Sequence, residues 1–343
     1  MTRRRVRLSD IADRTGFGTN TVSLALRNSS LVTEETKGII QRAARELNYV
    51  PNYVAKSLAL DRTNTIGLVL HDVTNPVFTA AAKAIQLELA ARGYSVLFAT
   101  SNGSFEEELL AIERFQRHLV DGILIYPLVH DRIDHLIRLR QQGFPVVLLI
   151  GTKDAPIDAV GVDEYGGAVL ATQHLIDLGH RRIGIVTSEV NSEKLRGYAS
   201  ALEEAGIEFD RSIVGYPHMR GIEGGIDATA AIMSSREPPT AIFAGSDRYA
   251  VGVLRWATIH GVSVPGDLSI VGFDDTEFAK FGVIPLSTIK NDVEAVSRKA
   301  VERLCALMDR RQAMPEPVTT LVDGTLITRD SSRVRLPAAP RAR

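Results

Sequence analysis

Cysteine is almost absent from this chain of 343 residues, in which Cys305 is the only one. One cysteine cannot form an internal disulfide, so we expect a protein folded in the cytoplasm, without a structural metal or a cofactor. Long apolar runs are missing as well. No stretch is long enough to cross a bilayer, and no apolar signal core follows the basic N-terminus, so we expect no membrane contact.

The sequence motifs of common enzyme classes do not occur either. The chain has no GxxxxGK[ST] loop, no GxGxxG turn after a strand, no GxSxG turn and no HExxH helix. Its eight histidines are scattered, and Cys305 lies in an apolar helical pattern typical of an inert core position. We therefore expect no catalytic residues and no enzyme activity.

A basic excess is also missing, because the formal net charge is −1, which by itself argues against nucleic-acid binding. The charge is unevenly distributed, however. Residues 1–63 contain eleven Lys and Arg against six Asp and Glu, which leaves the remaining chain acidic by six charges. A small basic head on an acidic body is typical of a polyanion-binding module joined to a second part. The alternative is a solvated basic tail.

The stretch LSDIADRTGFGTNTVSLALRN, from Leu8 to Asn28, predicts two short helices around a turn. Its apolar spacing gives the first helix one buried face, and Gly16 ends that helix. A third helix follows Thr33, a predicted N-cap. Three short helices with a tight turn between the first two form a helix-turn-helix, whose second helix enters the DNA major groove by its N-terminal end. A small bundle used only for packing is the alternative.

Polar side chains occupy that N-terminal end of the second helix. They are able to bond base edges or phosphates, and an asparagine can contact adenine with two hydrogen bonds. The candidates are Thr19, Asn20, Thr21 and Ser23.

After Thr65 apolar strands alternate with amphipathic helices. The runs TIGLVL, SVLFAT, GILIY, PVVLLI, RIGIVT, TAIFAG and LSIVGF are typical of buried parallel strands. This alternation predicts an α/β body of doubly wound parallel sheets. The series is too long for one small sheet, so we predict two lobes, with changes of lobe near Val160–Asp163 and near Thr288–Asn291.

Open α/β sheets bind ligands at the carboxyl ends of their strands, and in a two-lobed body those ends face the cleft. Residues that directly follow a strand are therefore candidates for ligand contact. They are residues 71–78 (HDVTNPVF, with Asn75 and Phe78), Tyr126, Asp163, Ser246, Asp247 and Asp274. For Asp247, a role as a helix cap and a role in ligand contact are equally compatible with the sequence.

The quoted head sequence, followed by VTEETKGIIQRAARELNYVPN and VAKSL, resembles the lactose-repressor (LacI) family. In the body, GHRRIGIV, FAGSDRYAVG and VPGDLSIVGFDD also match this family, and the resemblance extends through about residue 330. It implies an all-α helix-turn-helix head and a two-lobed body like the type I periplasmic sugar-binding proteins. The implied parts are a DNA-binding domain at 1–47, a hinge helix and linker at 48–62, an effector-binding and dimerisation domain at 63–330 and a flexible tail at 331–343.

For the head, the resemblance adds a minor-groove hinge in which Leu58 wedges into the DNA and Ala55 faces the partner helix. Leu24 stands where the family often has a guanine-reading arginine, so we expect a different operator preference, unless Leu24 only packs against the third helix. With Arg27, the expected DNA contacts are Thr19, Asn20, Thr21, Ser23, Leu24, Arg27, Ala55 and Leu58.

For the body, the resemblance implies that Asp274 binds sugar hydroxyls and that Asn75 and Phe78 line the N-terminal wall. Lys194 replaces a family arginine, Ile150 replaces a frequent carboxylate, and Arg220 falls in a segment that often lines the cleft. A pocket that loses an acid and gains a base favours an anion such as a sugar acid or a phosphorylated sugar. The expected effector contacts are Asn75, Phe78, Tyr126, Asp163, Lys194, Arg220, Ser246, Asp247 and Asp274.

Head, hinge and body together predict a transcription regulator, most often a repressor, whose operator affinity is controlled by a small sugar-like effector. One helix-turn-helix covers half an operator, so we expect a homodimer on near-palindromic double-stranded DNA. The C-terminal SSRVRLPAAPRAR has no heptads, which favours a dimer over a zipper-linked tetramer. The alternative is a solute-binding or enzyme-like α/β protein with a non-specific basic N-terminus.

Overall fold

The computed structural model describes residues 6–49, 62–151, 155–188, 192–309 and 313–335. The chain divides into two compact units, a head up to Thr63 and a body from Asn64 onward. Leu58 and Ala55 of the predicted hinge lie outside the described residues. Among the residues that are described, no helix is long and apolar enough to span a membrane.

The head consists of three helices, α1 (Leu8–Thr15), α2 (Thr19–Leu26) and α3 (Glu34–Glu46). Gly16 ends α1 in the left-handed conformation, at φ 75°, which glycine adopts at little cost. Thr33 caps α3 as predicted, since its side chain accepts a hydrogen bond from the Thr36 amide at 3.3 Å. The three helices bury one small apolar cluster, which contains Ile11, Val22, Val32, Ala25, Ile40, Ala43 and Ala44.

The body begins with a first lobe of alternating strands and helices. Its elements are β1 (Thr65–Leu70), α4 (Pro76–Ala91), β2 (Ser95–Thr100), α5 (Phe105–Arg117), β3 (Gly122–Ile125), α6 (Asp134–Gln141), β4 (Val146–Leu148) and β5 (Asp158–Val162). The second lobe follows with α7 (Glu164–Asp177), β6 (Ile183–Val186), α8 (Glu193–Glu204), β7 (Val214–Gly215), α9 (Ile222–Met233), β8 (Ala241–Ala244), α10 (Asp247–Ile259), β9 (Ser269–Asp274), α11 (Glu277–Phe281) and β10 (Ser287–Lys290). The last elements are α12 (Val293–Leu307), β11 (Thr319–Val322) and β12 (Thr325–Ile327).

Each lobe contains a six-stranded sheet. The strand orders are β11-β5-β4-β3-β1-β2 and β12-β10-β9-β8-β6-β7, and all pairs are parallel except β10 with β12. Helices cover both faces, because the strands are apolar on both sides. The sequence prediction of an α/β body with doubly wound parallel sheets is confirmed.

The chain changes lobe three times. The first two changes, after β5 and after β10, occur where the sequence predicted them, and α12 returns to pack on the first sheet through Val296, Ala300 and Leu304. The third change, between β11 and β12, was not predicted. These last two strands are only four and three residues long and are half-buried or exposed, so their sequence carries little apolar signal.

The prediction of a flexible tail from residue 331 is wrong for residues 331–335. Ser331 is fully buried in the second lobe. Its hydroxyl accepts a hydrogen bond from the Ser287 amide at 2.8 Å and donates one to the Ile270 carbonyl at 2.7 Å. These bonds join two neighbouring strands, β9 and β10, so this segment completes the body.

Candidate functional site

A cleft opens between the two lobes at the carboxyl ends of their strands, with a cavity volume of about 210 Å³. The first lobe contributes the segment after β1 together with Tyr126, and the second lobe contributes the ends of β6, β8 and β9. Seven of the predicted effector contacts line this cavity: Asn75, Phe78, Tyr126, Lys194, Arg220, Ser246 and Asp274.

The other two predicted contacts, Asp163 and Asp247, are not among the lining residues. Asp163 caps α7 by accepting a hydrogen bond from the Gly166 amide at 3.0 Å. Asp247 is fully buried and accepts bonds from the Thr276 amide at 2.6 Å and from the Thr288 hydroxyl at 2.6 Å. Burial raises the pKa of Asp247 to about 6. Asp163 therefore acts as a helix cap, and Asp247 joins α10 to β10 and to the segment after β9.

Ser246 is the residue that caps α10, because its hydroxyl accepts a hydrogen bond from the Tyr249 amide at 3.2 Å. Asn75 has the same role at α4, where its side-chain oxygen accepts from the Val77 amide at 3.1 Å. Because both capping residues line the cavity, the N-termini of these two helices lie at its wall. A helix N-terminus carries partial positive charge and favours electron-rich ligand groups.

Asp274 ends β9 with φ 116°, a conformation that L residues rarely adopt. Such backbone strain costs about 1–3 kcal/mol and persists where the surrounding structure enforces it, often at functional sites. One carboxylate oxygen accepts a hydrogen bond from the Asn291 amide group at 2.8 Å. Burial and the nearby charge of Asp247 raise the pKa of Asp274 well above its usual range. The cleft therefore holds a poorly solvated carboxyl group that can bond hydroxyls.

Lys194 does not present an unpaired charge to the cleft. Its Nζ lies 2.5 Å from Oε1 of Glu164 and 4.5 Å from the centre of the Phe273 ring. Burial opposes ionisation of Glu164, but the charge of Lys194, its hydrogen bond to Glu164 and the nearby His130 together outweigh burial and lower the pKa of that carboxyl. Glu164, the first residue of α7, was not predicted from the sequence. The pair offers both hydrogen-bond donors and acceptors at no net charge.

Aromatic rings form the wall of the first lobe. The ring of Phe78 lies 4.4 Å from that of His71, edge to face, and 4.8 Å from that of Tyr126. Ile150 adds a further apolar side chain to the cavity lining. Flat apolar rings beside polar groups suit a ligand whose surface alternates between C–H and hydroxyl groups.

Two arginines of the second lobe reach side chains of the first. Arg248 donates to Oδ2 of Asp72 at 2.9 Å, and Nη1 of Arg220 lies 3.1 Å from Nε2 of His71. Arg248 was not predicted, since nothing in the sequence indicates that α10 faces residues 71 and 72. Both contacts span the cleft, so they link its geometry to the separation of the lobes.

In the head, the structure places Thr19 and Asn20 at the start of α2 with exposed side chains, and Arg27 is exposed at its end. Thr21 and Ser23 are half-buried. Leu24 is half-buried as well and packs against the apolar cluster of the head. Exposed polar side chains therefore stand at the N-terminal end of α2, where the sequence predicts DNA contacts.

Comparisons with known proteins assign both units. Residues 7–52 match the family model described as bacterial regulatory proteins, lacI family, and residues 172–332 match a periplasmic binding protein-like domain. The regulator CelR of Thermobifida fusca is 32% identical over 96% of this chain and 99% of its own.

Two solved structures show the same architecture. A CelR–cellobiose complex aligns with a TM-score of 0.71 and 29% identity over 96% of this chain and 100% of the other. A lac repressor dimer bound to operator and to the anti-inducer ONPF aligns with a TM-score of 0.86 and 26% identity over the same shares. The chain described here belongs to the lacI family of bacterial regulatory proteins.

Proposed function

We propose that this chain is a transcription repressor whose affinity for its operator is set by a small sugar-like effector held between the lobes of the body. The observation that carries this proposal is the combination, in one chain, of exposed polar side chains at the start of α2 and a polar cleft crossed by contacts between lobes. An effector bound in the cleft can change the separation of the lobes. Because the first lobe follows the head directly in the chain, we propose that this change alters how the head binds DNA.

The operator is a near-palindromic duplex bound by a homodimer. One helix-turn-helix reads half a site, so two heads related by a two-fold axis read inverted repeats. The lac repressor, to which this chain is similar, was solved as a dimer bound to operator.

The effector is a carbohydrate or a derivative of one. Aromatic rings beside Asp274, Asn291 and the Glu164–Lys194 pair suit a molecule with many hydroxyl groups, because each hydroxyl both donates and accepts hydrogen bonds. The similar regulator CelR was solved with cellobiose. We further propose that the chain has no catalytic activity of its own and works in the cytoplasm, where its DNA lies.

Selection from a pool of random duplexes with the full chain tests the proposal. We expect recovery of an inverted repeat, and binding that weakens steeply with added salt, because phosphate contacts release counterions. A chain that enriches no sequence, and binds all duplexes equally, would instead be a solute-binding or enzyme-like protein with a non-specific basic N-terminus. A thermal-shift screen of sugars then identifies the effector, since ligand binding stabilises the folded body by mass action.

A further inference from the structure

Arg220 contacts an imidazole, whereas Lys194 and Arg248 of the same cleft each contact a carboxylate. Lys194 is paired with Glu164 and Arg248 with Asp72, so the charges of both are balanced by carboxylates. Arg220 contacts the imidazole of His71. Within the described part of the chain, no carboxylate lies within ion-pair distance of its guanidinium.

The contact with His71 fixes the charge state of the imidazole. A guanidinium only donates hydrogen bonds, so Nε2 of His71 must accept, and the proton of the neutral ring is then on Nδ1. Burial, together with the positive charge of Arg220, lowers the pKa of His71 to about 4, so the ring is neutral in the cytoplasmic pH range. His71 therefore positions the Arg220 guanidinium without cancelling its charge.

Among the described residues that line the cleft, the carboxylates have partners other than Arg220. Asp72 and Glu164 are engaged by their own cations, Asp274 accepts a hydrogen bond from Asn291, and Ile150 supplies an apolar surface. A guanidinium at a cavity wall, with its positive charge uncompensated, is suited to a planar carboxylate or to a phosphate, which it can bind through two parallel hydrogen bonds.

We infer that the effector carries an anionic group, a carboxylate or a phosphate, that binds Arg220, while Asp274 and Asn291 bind its hydroxyls. This inference rests on the proposed function, because it specifies the class of molecule that the proposed effector cleft accepts. The expected effectors are sugar acids and sugar phosphates. A neutral sugar of the same carbon skeleton leaves Arg220 without an anionic partner.

Matched sets of compounds test the inference on the full-length chain. The sets are D-glucose, D-gluconate and D-glucose 6-phosphate, with the corresponding members of the galactose and ribose series, measured by thermal shift and then by calorimetry. We expect anionic members of at least one series to bind roughly 10–100-fold more tightly than its neutral sugar, the range for charged hydrogen bonds. The stronger of the two anions distinguishes carboxylate from phosphate recognition.

Two other outcomes overturn the inference and are distinguishable from each other. Neutral sugars that bind as tightly as their anionic counterparts contradict the role of Arg220 but leave the proposed function intact. A chain that binds no member of any series contradicts a carbohydrate effector altogether, and the inference fails with it.

Substitutions then assign the preference to Arg220. Arg220→Gln should lower the affinity for the anionic ligand by 10–100-fold and that for the neutral sugar by less than about threefold. Arg220→Lys keeps the positive charge but loses the two parallel donors of the guanidinium. Its affinity for the anionic ligand should therefore lie between those of the parent and of Arg220→Gln. The control is the double variant Asp72→Asn with Arg248→Gln, which removes a balanced ion pair of the same cleft and should change both affinities by the same factor. An equal loss of both ligands in Arg220→Gln contradicts the inference.

The positioning role of His71 has its own test. His71→Gln retains an oxygen that accepts from Arg220, whereas His71→Phe retains only the ring packing against Phe78. The ratio of anionic to neutral affinity should survive in His71→Gln and fall in His71→Phe. A merely structural role of His71 would lower both affinities together and leave this ratio unchanged.

Discussion

The guanidinium of Arg248, on the second lobe, donates a hydrogen bond to the carboxylate of Asp72, on the first lobe, at 2.9 Å. The two side chains are 23% and 27% exposed, so water partly screens the pair. Together with Arg220 and His71, this pair joins the lobes across the mouth of the cleft. Side chains of the two lobes therefore contact each other directly across the cleft.

The Asp72–Arg248 pair should contribute to effector affinity through lobe closure. A partly exposed ion pair is worth about 0–1 kcal/mol, so Arg248→Gln should weaken effector binding by up to about fivefold and increase the radius of gyration of the chain in X-ray scattering. Asp72→Asn should have the same effect, and the two changes combined should cost no more than either alone. Losses that add in the double variant would show that the two side chains act independently.

Acid should destabilise the body through His71. The unfolded chain takes up a proton at this imidazole near pH 6.5, whereas burial and the charge of Arg220 lower the pKa in the folded body to about 4. Because the unfolded state binds more protons in this window, stability falls as the pH decreases from 6.5 to 4, by at most about 3 kcal/mol. Asp247, whose pKa burial raises to about 6, has the opposite effect.

Comparison with His71→Gln isolates this contribution, since Asp247 is common to both proteins. The measurement is urea unfolding followed by the fluorescence of Trp256, the single tryptophan, which is buried in the body. The free energy of unfolding of the parent should decrease more between pH 7 and pH 4.5 than that of the variant. Parallel pH profiles would mean that His71 is protonated normally in the folded body.

Two helix glycines should respond to alanine in opposite directions. A Cβ at Gly252 would collide with the Ile222 carbonyl and lie 2.7 Å from Cα of Gly225, where α9 and α10 pack closely. Gly252→Ala should therefore destabilise the body by about 1–3 kcal/mol. At Gly38, on α3, nothing lies within 4 Å, so Gly38→Ala should stabilise the head by about 0.5–1 kcal/mol.

Chemical denaturation of each variant measures both effects, with Trp256 fluorescence for the body and far-ultraviolet circular dichroism for the head. A neutral Gly252→Ala variant would show that α9 and α10 separate easily. A destabilised Gly38→Ala variant would show that the head requires glycine there for a reason other than space.

Substitutions in the head should distinguish residues that read bases from residues that bind phosphates. Asn20 is exposed at the N-terminal end of α2 and Arg27 at its other end. Asn20→Ala should reduce the preference for operator over random DNA, by about 1–3 kcal/mol if Asn20 contacts adenine with two bonds. Arg27→Ala should weaken binding to all sequences alike and lower the salt slope by about one. Equal losses on operator and random DNA in Asn20→Ala would exclude base reading by this residue.

The sequence predicts the fold well where apolar runs are long. All seven predicted strands form, and six of them are buried within their sheets. The seventh, β2, lies at the edge of its sheet and is half-buried or exposed along its length. The five short strands β5, β7, β10, β11 and β12 were not assigned from the sequence. In β5 the run DAVGV begins with a charge, and its Gly161 is needed because a side chain there would collide with Gly151.

The sequence predicted those site residues that follow directly after a strand. It did not predict contacts between side chains that lie far apart in the sequence. Residues after a strand end at the cleft, which places Asn75, Tyr126 and Asp274. The rule fails for Asp163 and Asp247, whose carboxylates are used by backbone amides and hydroxyls of their own lobe. The pairs Lys194–Glu164 and Arg248–Asp72 join residues 30 and 176 positions apart, and no sequence spacing indicates such contacts.

The central claim is that occupancy of the cleft controls DNA binding by the head. The most direct measurement is the operator affinity of the full chain with and without saturating effector, in the parent and in Asp274→Ala. Couplings of about 1–3 kcal/mol are typical, so the parent's affinity should change by roughly 5–150-fold. Asp274→Ala should bind operator like the unliganded parent and show no response. A parent that binds effector without any change in operator affinity, or an Asp274→Ala variant that responds as the parent does, would contradict the account.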